Sequence, residues 1–420
     1  MLKYNKICFY AGIFVFVQLS LSAQNSTISP YTRFGYGVIA DKSFGAGRSM
    51  GGIGFGLRSS QQINPMNPAS YSSMDSLTFL FDVGATLQLS LLNDEVNNHK
   101  NLNGNLDYFA MQFPLSRTIA MSAGIVPYSH VGYNFYAVNE TDDVSHMDNF
   151  FGSGGLNEVY VGLSMDIWKK RLSLGTNIGY MFGNVEHNSS VSYVGTGQQI
   201  STIYTMKKVN LHHLKYDLGV QYTHPLSKTE RLTFGLAYSP KISFSSESFD
   251  MISADPYFQT NILKADTLRN KGFDTPDAVG FGVSYIKDNK LILAADFSLQ
   301  NWSNAHFFDE NNLFKNRYKV VVGGEYIPNN FTRSYLSRVR YRAGLNYSNS
   351  YMQINDSGYN EYGVCLGVGF PMLDNRSFIN ASLEYVRIEP ENKSFVKEQY
   401  FRFSLSFTFN EYWFMKRRIE

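Results

Sequence analysis

The stretch QYFRFSLSFTFN, Gln399–Asn410, alternates between apolar and polar residues from Phe401 onward. Successive side chains of a β-strand point to opposite faces, so the pattern predicts a strand with one wholly apolar face. A strand of about ten residues is also long enough to cross a bilayer at a tilt. The opposite face carries Arg402, Ser404, Ser406 and Thr408, which require water or other polar groups rather than lipid.

The same alternation recurs along the chain and predicts fourteen strands. The connections between them alternate in length: PLSR, KKR and KDN are short, whereas 129–155, 184–208 and 246–275 are long. Transmembrane β-barrels have an even number of antiparallel strands, with short turns at one end and longer loops at the other. A soluble β-sandwich or propeller has no reason to keep this asymmetry. The predicted fold class is therefore all-β, a 14-stranded antiparallel transmembrane β-barrel formed by residues 77–420.

Residues 1–23 have the pattern of a secretory signal peptide, with a basic start, a short apolar run and small residues ending at Ala23. Removal of this peptide takes away Lys3 and Lys6 and leaves basic and acidic residues in equal number. A chain without a basic surface is not expected to bind nucleic acid. The predicted location is the outer membrane of a Gram-negative cell, with the short turns and both ends of the barrel chain on the periplasmic side.

Residues 24–76 precede the first predicted strand and are rich in glycine, as in GAGRSMGGIGFGLRSS. A barrel of fourteen strands is wide enough to need filling or to conduct water. We therefore expect residues 24–76 to fold into the lumen as a plug.

A family resemblance supports this organisation. The stretch RSMGGIGFGLRSSQQINPMNPASYSSMDS, with its motif Asn67-Pro68-Ala69, resembles the plug of the FadL/OmpP1-type outer-membrane proteins, in the versions found in Bacteroidota. Further similar stretches are GIVPYSHVGY, DFSLQNW, GGEYIP and the C-terminal NEYWFMKRRIE. The resemblance covers the whole mature chain. It implies a channel for long-chain fatty acids and other hydrophobic compounds, whose partners are such a ligand and the lipid of the outer membrane.

The resemblance also implies a gate. In that family the Asn-Pro-Ala peptide packs near an inward kink of the third strand, and the kink opens a side hole through which ligand leaves toward the membrane. Here the third predicted strand contains Gly124 and Pro127, and a proline within a strand removes a ladder hydrogen bond. The alternative is a static plug whose prolines only end the irregular segment. The predicted gate residues are Asn64, Pro65, Asn67, Pro68, Ala69, Gly124 and Pro127.

Alternation places a row of cations on the lumen face of the barrel. They could bind the carboxylate head group of a ligand. More often such rows pair with facing Asp and Glu side chains, and pairing is the outcome we favour. The cations are Lys319, Arg338, Arg340, Arg342 and Arg402.

Neither an enzyme nor a metal site is predicted. The glycines of GGIGFG miss the spacing of a nucleotide-binding loop and follow no strand. His212 and His213 are adjacent in a strand and point to opposite faces, so they cannot share a metal ion. We therefore expect no catalytic residues, no cofactor and no metal. The alternative to uptake of hydrophobic molecules is an accessory barrel that binds other outer-membrane proteins in a secretion or assembly complex.

Overall fold

The computed structural model describes residues 27–94, 98–139, 145–168, 171–194, 202–255, 261–307, 313–329, 332–354, 356–372 and 375–413. The expected signal peptide, residues 24–26 of the expected plug and the end of the basic C-terminal tail lie outside these ranges. Within them, no helix is long and apolar enough to cross a membrane. The helices are all short: Pro30–Arg33, Gly45–Arg48, Pro68–Ser73, Trp302–Asn304 and Tyr335–Arg338.

Fourteen strands form the wall. Two of them, β7 and β8, are each interrupted once, next to Pro240 and Pro276, which lack the N–H group that a ladder needs. The strands are β1 (Thr78–Asn93), β2 (Asn98–Pro114), β3 (Ile119–Asn139), β4 (Ser145–Trp168), β5 (Leu172–Val194), β6 (Thr202–Pro225), β7 (Glu230–Ser239 and Ile242–Asp255), β8 (Asn261–Thr275 and Ala278–Lys287), β9 (Leu291–Gln300), β10 (Arg317–Tyr326), β11 (Arg340–Asn349), β12 (Tyr359–Pro371), β13 (Phe378–Pro390) and β14 (Lys397–Tyr412).

The wall closes on itself. Each strand pairs antiparallel with the next, and β14 pairs with β1 from Lys397–Asn93 to Tyr412–Thr78. The predicted 14-stranded antiparallel barrel is confirmed. Closure leaves a sheet without terminal edge strands, which is the arrangement that a β-structure needs in lipid.

The outward face of the wall is apolar, as the alternation predicts. Phe403 of β14 lies beside Leu87 of β1, and both side chains are exposed on the outer surface. Their neighbours Arg402 and Gln88 point inward and hydrogen-bond to each other, Nε to Oε1, at 2.7 Å. We call the outer surface at the height of these residues the apolar band.

The long connections differ from the prediction. The range expected to be the loop 129–155 is mostly the paired hairpin of β3 and β4, and the ladder continues to Asn139–His146. The ranges 184–208 and 246–275 are likewise largely strand. These strand ends lie beyond the apolar band, where both faces can be polar, so alternation gives no signal there. We call this end of the barrel the loop end, and the end with the short turns 115–118, 226–229 and 288–290 the turn end.

Residues 27–76, here the N-terminal segment, lie inside the barrel. The Ser29 hydroxyl donates to Glu398 Oε1 of β14 at 2.8 Å, whereas the Asn67 amide donates to Val220 O of β6 at 3.2 Å. Contacts to strands on different sides of a closed wall place the segment in the lumen. Its side chains are buried accordingly, and those of Tyr36, Asn67 and Tyr71 have no exposed surface.

Candidate functional site: a filled lumen behind an interrupted wall

The wall is interrupted between β2 and β3. Their ladder runs only from Pro114–Ala120 to Phe109–Ile125. Beyond Ile125, β3 leaves β2 and bends into the lumen, while the β1–β2 ladder continues up to Asn93–Asn98. The predicted kink of the third strand therefore exists, and it begins between Gly124 and Pro127.

The residues of the kink explain its position. The register between β3 and β4 shifts between Pro127 and Ser129, which marks a bulge. The neighbouring strand β4 follows the bend at Gly155, whose φ of +150° is unfavourable for residues other than glycine. Gly124, just below, is closely packed, because a β-carbon there would approach Phe109 O to 2.6 Å.

The N-terminal segment covers the edge of β3 that the bend exposes. Val38 and Ile39 form a two-residue strand that pairs with His130 and Ser129. On either side of this short ladder, Ala40 N donates to Tyr128 O at 2.9 Å and Ser29 N donates to Gly132 O at 2.8 Å. Below the bend the backbone of β3 pairs with β2, and beyond the bend it pairs with the N-terminal segment inside the lumen.

The Asn-Pro-Ala peptide lies elsewhere, and this part of the gate prediction is wrong. Pro68 and Ala69 lie against Gly175 of β5, and Asn67 lies against Gly219 of β6 and Gly235 of β7. These wall residues lack a β-carbon, so a backbone can approach them closely. Tyr71, two residues further on, instead shares a buried apolar cluster with Ala120 and Val126 of β3.

The two Asn-Pro pairs hold the N-terminal segment together. The Asn64 amide donates to Gly54 O at 2.6 Å and to Leu57 O at 3.0 Å. The Asn67 amide donates to Phe55 O at 2.9 Å, while its Oδ1 caps the next helix by accepting from Ala69 N at 3.1 Å. The carbonyl of Pro65 accepts from the Asn177 amide of β5 at 3.2 Å. Two irregular turns are thereby fixed to each other and to the wall.

A ring of inward-facing glycines receives the backbone of the N-terminal segment. Three pairs of them lie directly opposite each other on neighbouring strands. At each, an added β-carbon would come closer than 3.0 Å to an atom of the segment. We call these residues the wall glycines; they are Gly175, Gly219, Gly235, Gly282, Gly323 and Gly344.

A single carboxylate fixes the glycine-rich loop of the N-terminal segment. Asp296 Oδ2, on β9, accepts hydrogen bonds from Gly54 N at 2.6 Å and from Phe55 N at 2.9 Å. The Ser284 hydroxyl of β8 donates to Gly56 O at 2.7 Å. The loop GGIGFG is therefore a structural anchor, and its flexible residues allow its backbone groups to turn toward the wall.

The lumen cations predicted as anion contacts are mostly engaged within the protein. Arg342 Nε lies 2.6 Å from Glu325 Oε2, with Arg340 Nη1 3.6 Å from the same carboxylate. Arg402 faces Glu384 at 3.4 Å. Arg338 differs from the prediction, because it ends the helix Tyr335–Arg338 before β11 and donates to Asn375 Oδ1 at 2.8 Å.

Further ion pairs join the N-terminal segment to the wall. Asp41 Oδ2 lies 2.7 Å from the ammonium of the remaining predicted cation, Lys319. Burial by itself raises the pKa of Asp41, but the charges of Lys319 and Arg48 outweigh it and hold that pKa below its usual range. The other pairs are Lys42–Glu158 at 2.6 Å, Arg58–Asp166 at 2.7 Å and Arg48–Asp107.

A cavity with charged residues in its lining lies between the N-terminal segment and the wall. Its volume is about 260 Å³, and it reaches the interruption at Asn105 and Pro127. Its lining includes Lys215, Asp217 and Arg402, so charged side chains face the space directly behind the opening.

The two ends of the lumen differ in the residues that line them. Toward the loop end, an aromatic cluster that includes Tyr36, Trp302, Phe314 and Tyr351 is almost completely buried. At the turn end, a cavity of about 670 Å³ is lined by charged and polar residues, including Arg231 and Arg340. The lumen is therefore polar at the turn end and aromatic toward the loop end.

The BamG family model matches residues 1–420 of this sequence, which is its full length. The chain belongs to the BamG family. Among individually curated proteins, none is similar in sequence to this BamG-family chain.

Solved structures share its fold at low sequence identity. The monoaromatic hydrocarbon channel CymD superimposes with a TM-score of 0.61 and 16% identity, over 88% of this chain and 98% of its own. A Pseudomonas aeruginosa FadL homologue gives 0.61 and 14%, over 89% and 99%. The Pseudomonas putida toluene transporter TodX gives 0.59 and 14%, over 90% and 100%. At these identities the likeness shows that the BamG-family chain has a FadL-like barrel fold, and nothing further.

Sequence reasoning missed the wall glycines and the role of Asp296. A signal was present: the strands that contain them carry glycine at inward-facing positions, where an ordinary barrel lumen would have larger side chains. Repeated on strand after strand, such glycines indicate that another backbone fills the space. The partners of those glycines could not be named, because the fold of an irregular segment has no periodicity to read.

Proposed function

We propose that this chain is a filled outer-membrane barrel that acts as an accessory subunit, binding other proteins rather than conducting a ligand. The observation that carries the proposal is the packing of the N-terminal segment against the wall glycines. A channel needs a segment that can move aside, whereas here the segment's backbone occupies the positions of missing wall side chains.

The electrostatics of the lumen support the same proposal. Displacing the N-terminal segment would separate Lys42 from Glu158 and Arg58 from Asp166, which are close pairs with largely buried carboxylates. Removing one partner from a buried pair typically costs about 3–5 kcal/mol, because a charge is left without compensation. A lumen lined in this way favours a permanent filling and offers a poor path to an apolar ligand.

The fold supports a location in the outer membrane, and the sequence pattern supports the orientation that we propose. The chain is exported by the peptide at residues 1–23 and inserted in the outer membrane, with the turn end toward the periplasm. Membership of the BamG family also favours the accessory role over uptake. The partners are then proteins of the same membrane, together with its lipid.

The test is isolation from native membranes in polymer-bounded nanodiscs, without detergent, followed by mass spectrometry of proteins and lipids. We expect a defined protein partner in constant ratio to this chain, and no stoichiometric hydrophobic small molecule. The purified chain should conduct little current in planar bilayers. Isolation of the chain alone, with a bound hydrophobic compound, would refute the proposal.

A second candidate function is favoured by the interruption between β2 and β3. Uptake of hydrophobic small molecules with lateral release, as the names of the hydrocarbon channels suggest for those proteins, would use this opening. In that case Gly124 and Pro127 shape the exit, and Asn64, Pro65, Asn67, Pro68 and Ala69 hold the plug. Uptake of a labelled fatty acid by cells, lost in a deletion strain and restored by the wild-type chain, would support this function.

A further inference from the structure

Among the residues that the structure describes, no strand pairs with one edge of β2 over half of its length. The β2–β3 ladder ends at Phe109, whereas the described part of β2 continues to Asn98 and pairs there with β1 alone. The matching edge of β3 is covered by the N-terminal segment at Val38 and Ile39. The bend of β3 therefore leaves an opening whose two edges differ. The edge of β3 is paired with the N-terminal segment, whereas the edge of β2 has no second partner strand among the described residues.

The part of this edge from Leu102 to Leu106 lies within the apolar band. Leu102 lies beside Leu89 of β1, which in turn lies beside Phe401 of β14, so the three are at one height of the wall. Leu102 and Leu106 are 60% and 63% exposed, so both side chains face the lipid side of the wall.

The backbone groups of this edge point into the opening. In an antiparallel pair, the N–H and C=O of alternate residues point to the same neighbouring strand. The bond from Leu115 N to Ile119 O at 2.9 Å shows that the outward-facing residues of β2 direct these groups toward β3. Above the bulge opposite Gly84, the outward-facing residues are Leu102, Gly104 and Leu106.

We propose that the edge of β2 from Asn98 to Tyr108 is a docking site for one extended strand of a partner protein. Lipid tails offer no hydrogen-bond donors or acceptors, and each unsatisfied backbone group in hydrocarbon costs several kcal/mol. A peptide in extended conformation supplies donors and acceptors at the spacing of the strand that it joins. The proposal rests on the accessory function above, for which it names the binding surface.

The edge also defines the chemistry of its partner strand. Beside Leu102 and Leu106 the partner must present apolar side chains to the lipid. Toward the lumen it must present small or polar side chains, because Asp107 and Arg48 form an ion pair there. A strand with this alternation belongs to another membrane β-protein, at an edge or an open seam of its own sheet.

Site-directed crosslinking tests this docking. Leu102→Cys and Leu106→Cys place thiols on the edge, and Val161→Cys on β4 places a thiol at a comparably outward-facing position of the intact wall. The native Cys365 is buried and does not compete. A photoreactive benzophenone attached to each thiol inserts into the C–H bonds of neighbouring apolar side chains. With it, in native membranes, we expect a protein adduct of one discrete mass from positions 102 and 106, and none from position 161.

Peptide mapping of the adducts decides whether the contact is strand pairing. Positions 102 and 106 should crosslink to partner residues that are themselves four apart, since paired strands advance together. Crosslinks without this spacing, adducts with lipid or small molecules only, or an adduct with the mass of two copies of this chain would each overturn the proposal.

A backbone variant provides the second measurement. Gly104→Pro removes an N–H group that points into the opening, and it does not affect the hydrogen bonds between β2 and β1. Gly104→Ala keeps that N–H group. We expect at least a tenfold loss of the adduct in Gly104→Pro and near-normal yield in Gly104→Ala, with both barrels folded by their heat-dependent gel mobility. If native isolation still yields a protein partner but neither variant affects the adduct, the docking site is wrong and the accessory function stands. If no partner is isolated, the accessory function itself fails.

Discussion

The carbonyl oxygen of Phe55 occupies the space that a side chain on Gly235 would need. A β-carbon built on Gly235 lies closer than 3.0 Å to that oxygen, a separation that real β-carbons do not show. The Phe55 carbonyl also accepts from the Asn67 amide at 2.9 Å and from Gln221 Nε2 at 3.0 Å, so it cannot move without breaking two bonds. The wall and the segment within it are thus fitted to each other at the level of backbone atoms.

Replacement of this glycine is the most direct test of that fit. Gly235→Ala should destabilise the folded protein by about 1–3 kcal/mol, the usual cost of overpacking. The segment should also loosen and admit ions. The measurements are the temperature at which the folded gel band is lost and the conductance in planar bilayers. Gly104→Ala, on the outer face of β2, is the matched control and should change neither.

The anchor at Asp296 leads to a prediction about charge. Its carboxylate accepts from Gly54 N and Phe55 N, and hydrogen bonds to a charged group typically contribute about 1.5–3 kcal/mol each. Asp296→Ala should therefore expose the loop GGIGFG to added protease and raise conductance. Asp296→Asn keeps an acceptor oxygen and should show a smaller effect. Equal protease resistance in both variants and the wild type would contradict the anchoring role.

Acid should weaken the attachment of the N-terminal segment. The pKa of Asp41 is held below its usual range in the folded protein, so its pairing stabilises fully above the unfolded value of about 4. That stabilisation is lost as the pH falls through the folded value. Conductance of the wild type should rise between neutral and strongly acidic pH. The rise should be smaller in Asp41→Asn, which has already lost the charge, and an identical pH profile would count against this pairing.

The buried group of Glu325, Arg340 and Arg342 predicts an asymmetry between variants. Arg342→Ala leaves Glu325 with a second cation, because Arg340 lies 3.6 Å from the same carboxylate. Glu325→Ala instead leaves two guanidinium groups together without an anion. The second change should lower the unfolding temperature more than the first, by a difference equivalent to about 1–3 kcal/mol. Thermal unfolding followed by gel mobility would measure this, and a larger effect of Arg342→Ala would show that Arg340 does not compensate.

The wall of the barrel could be predicted from sequence because lipid imposes a period of two. In β14 every second residue from Phe401 to Phe409 is apolar, and the strand ends close to the predicted boundary. The strand ends near Asn139 and His146 were missed, because water on both faces there removes the constraint that produces alternation. The kink of β3 was predictable from Pro127, since a residue without an N–H cannot keep a continuous ladder.

The filling of the barrel could be predicted only in outline. The position of the N-terminal segment followed from its length and from the lack of any other place for it. The contacts of Asn67 could not follow, because they depend on Gly219 and Gly235, more than 150 residues away in the chain. Which of two irregular peptides covers the bent strand is a question of three-dimensional fit, and Val38 and Ile39 gave no local sign of that role.

The pairing of β1 with β14 closes the barrel around the N-terminal segment, and this bears on the order of assembly. The N-terminal segment contacts β3, β6, β9, β10 and β14. Its backbone fills the space that side chains would occupy at the wall glycines. We expect the later strands to close around an N-terminal segment that is already in position, because each wall glycine fits an atom of that segment.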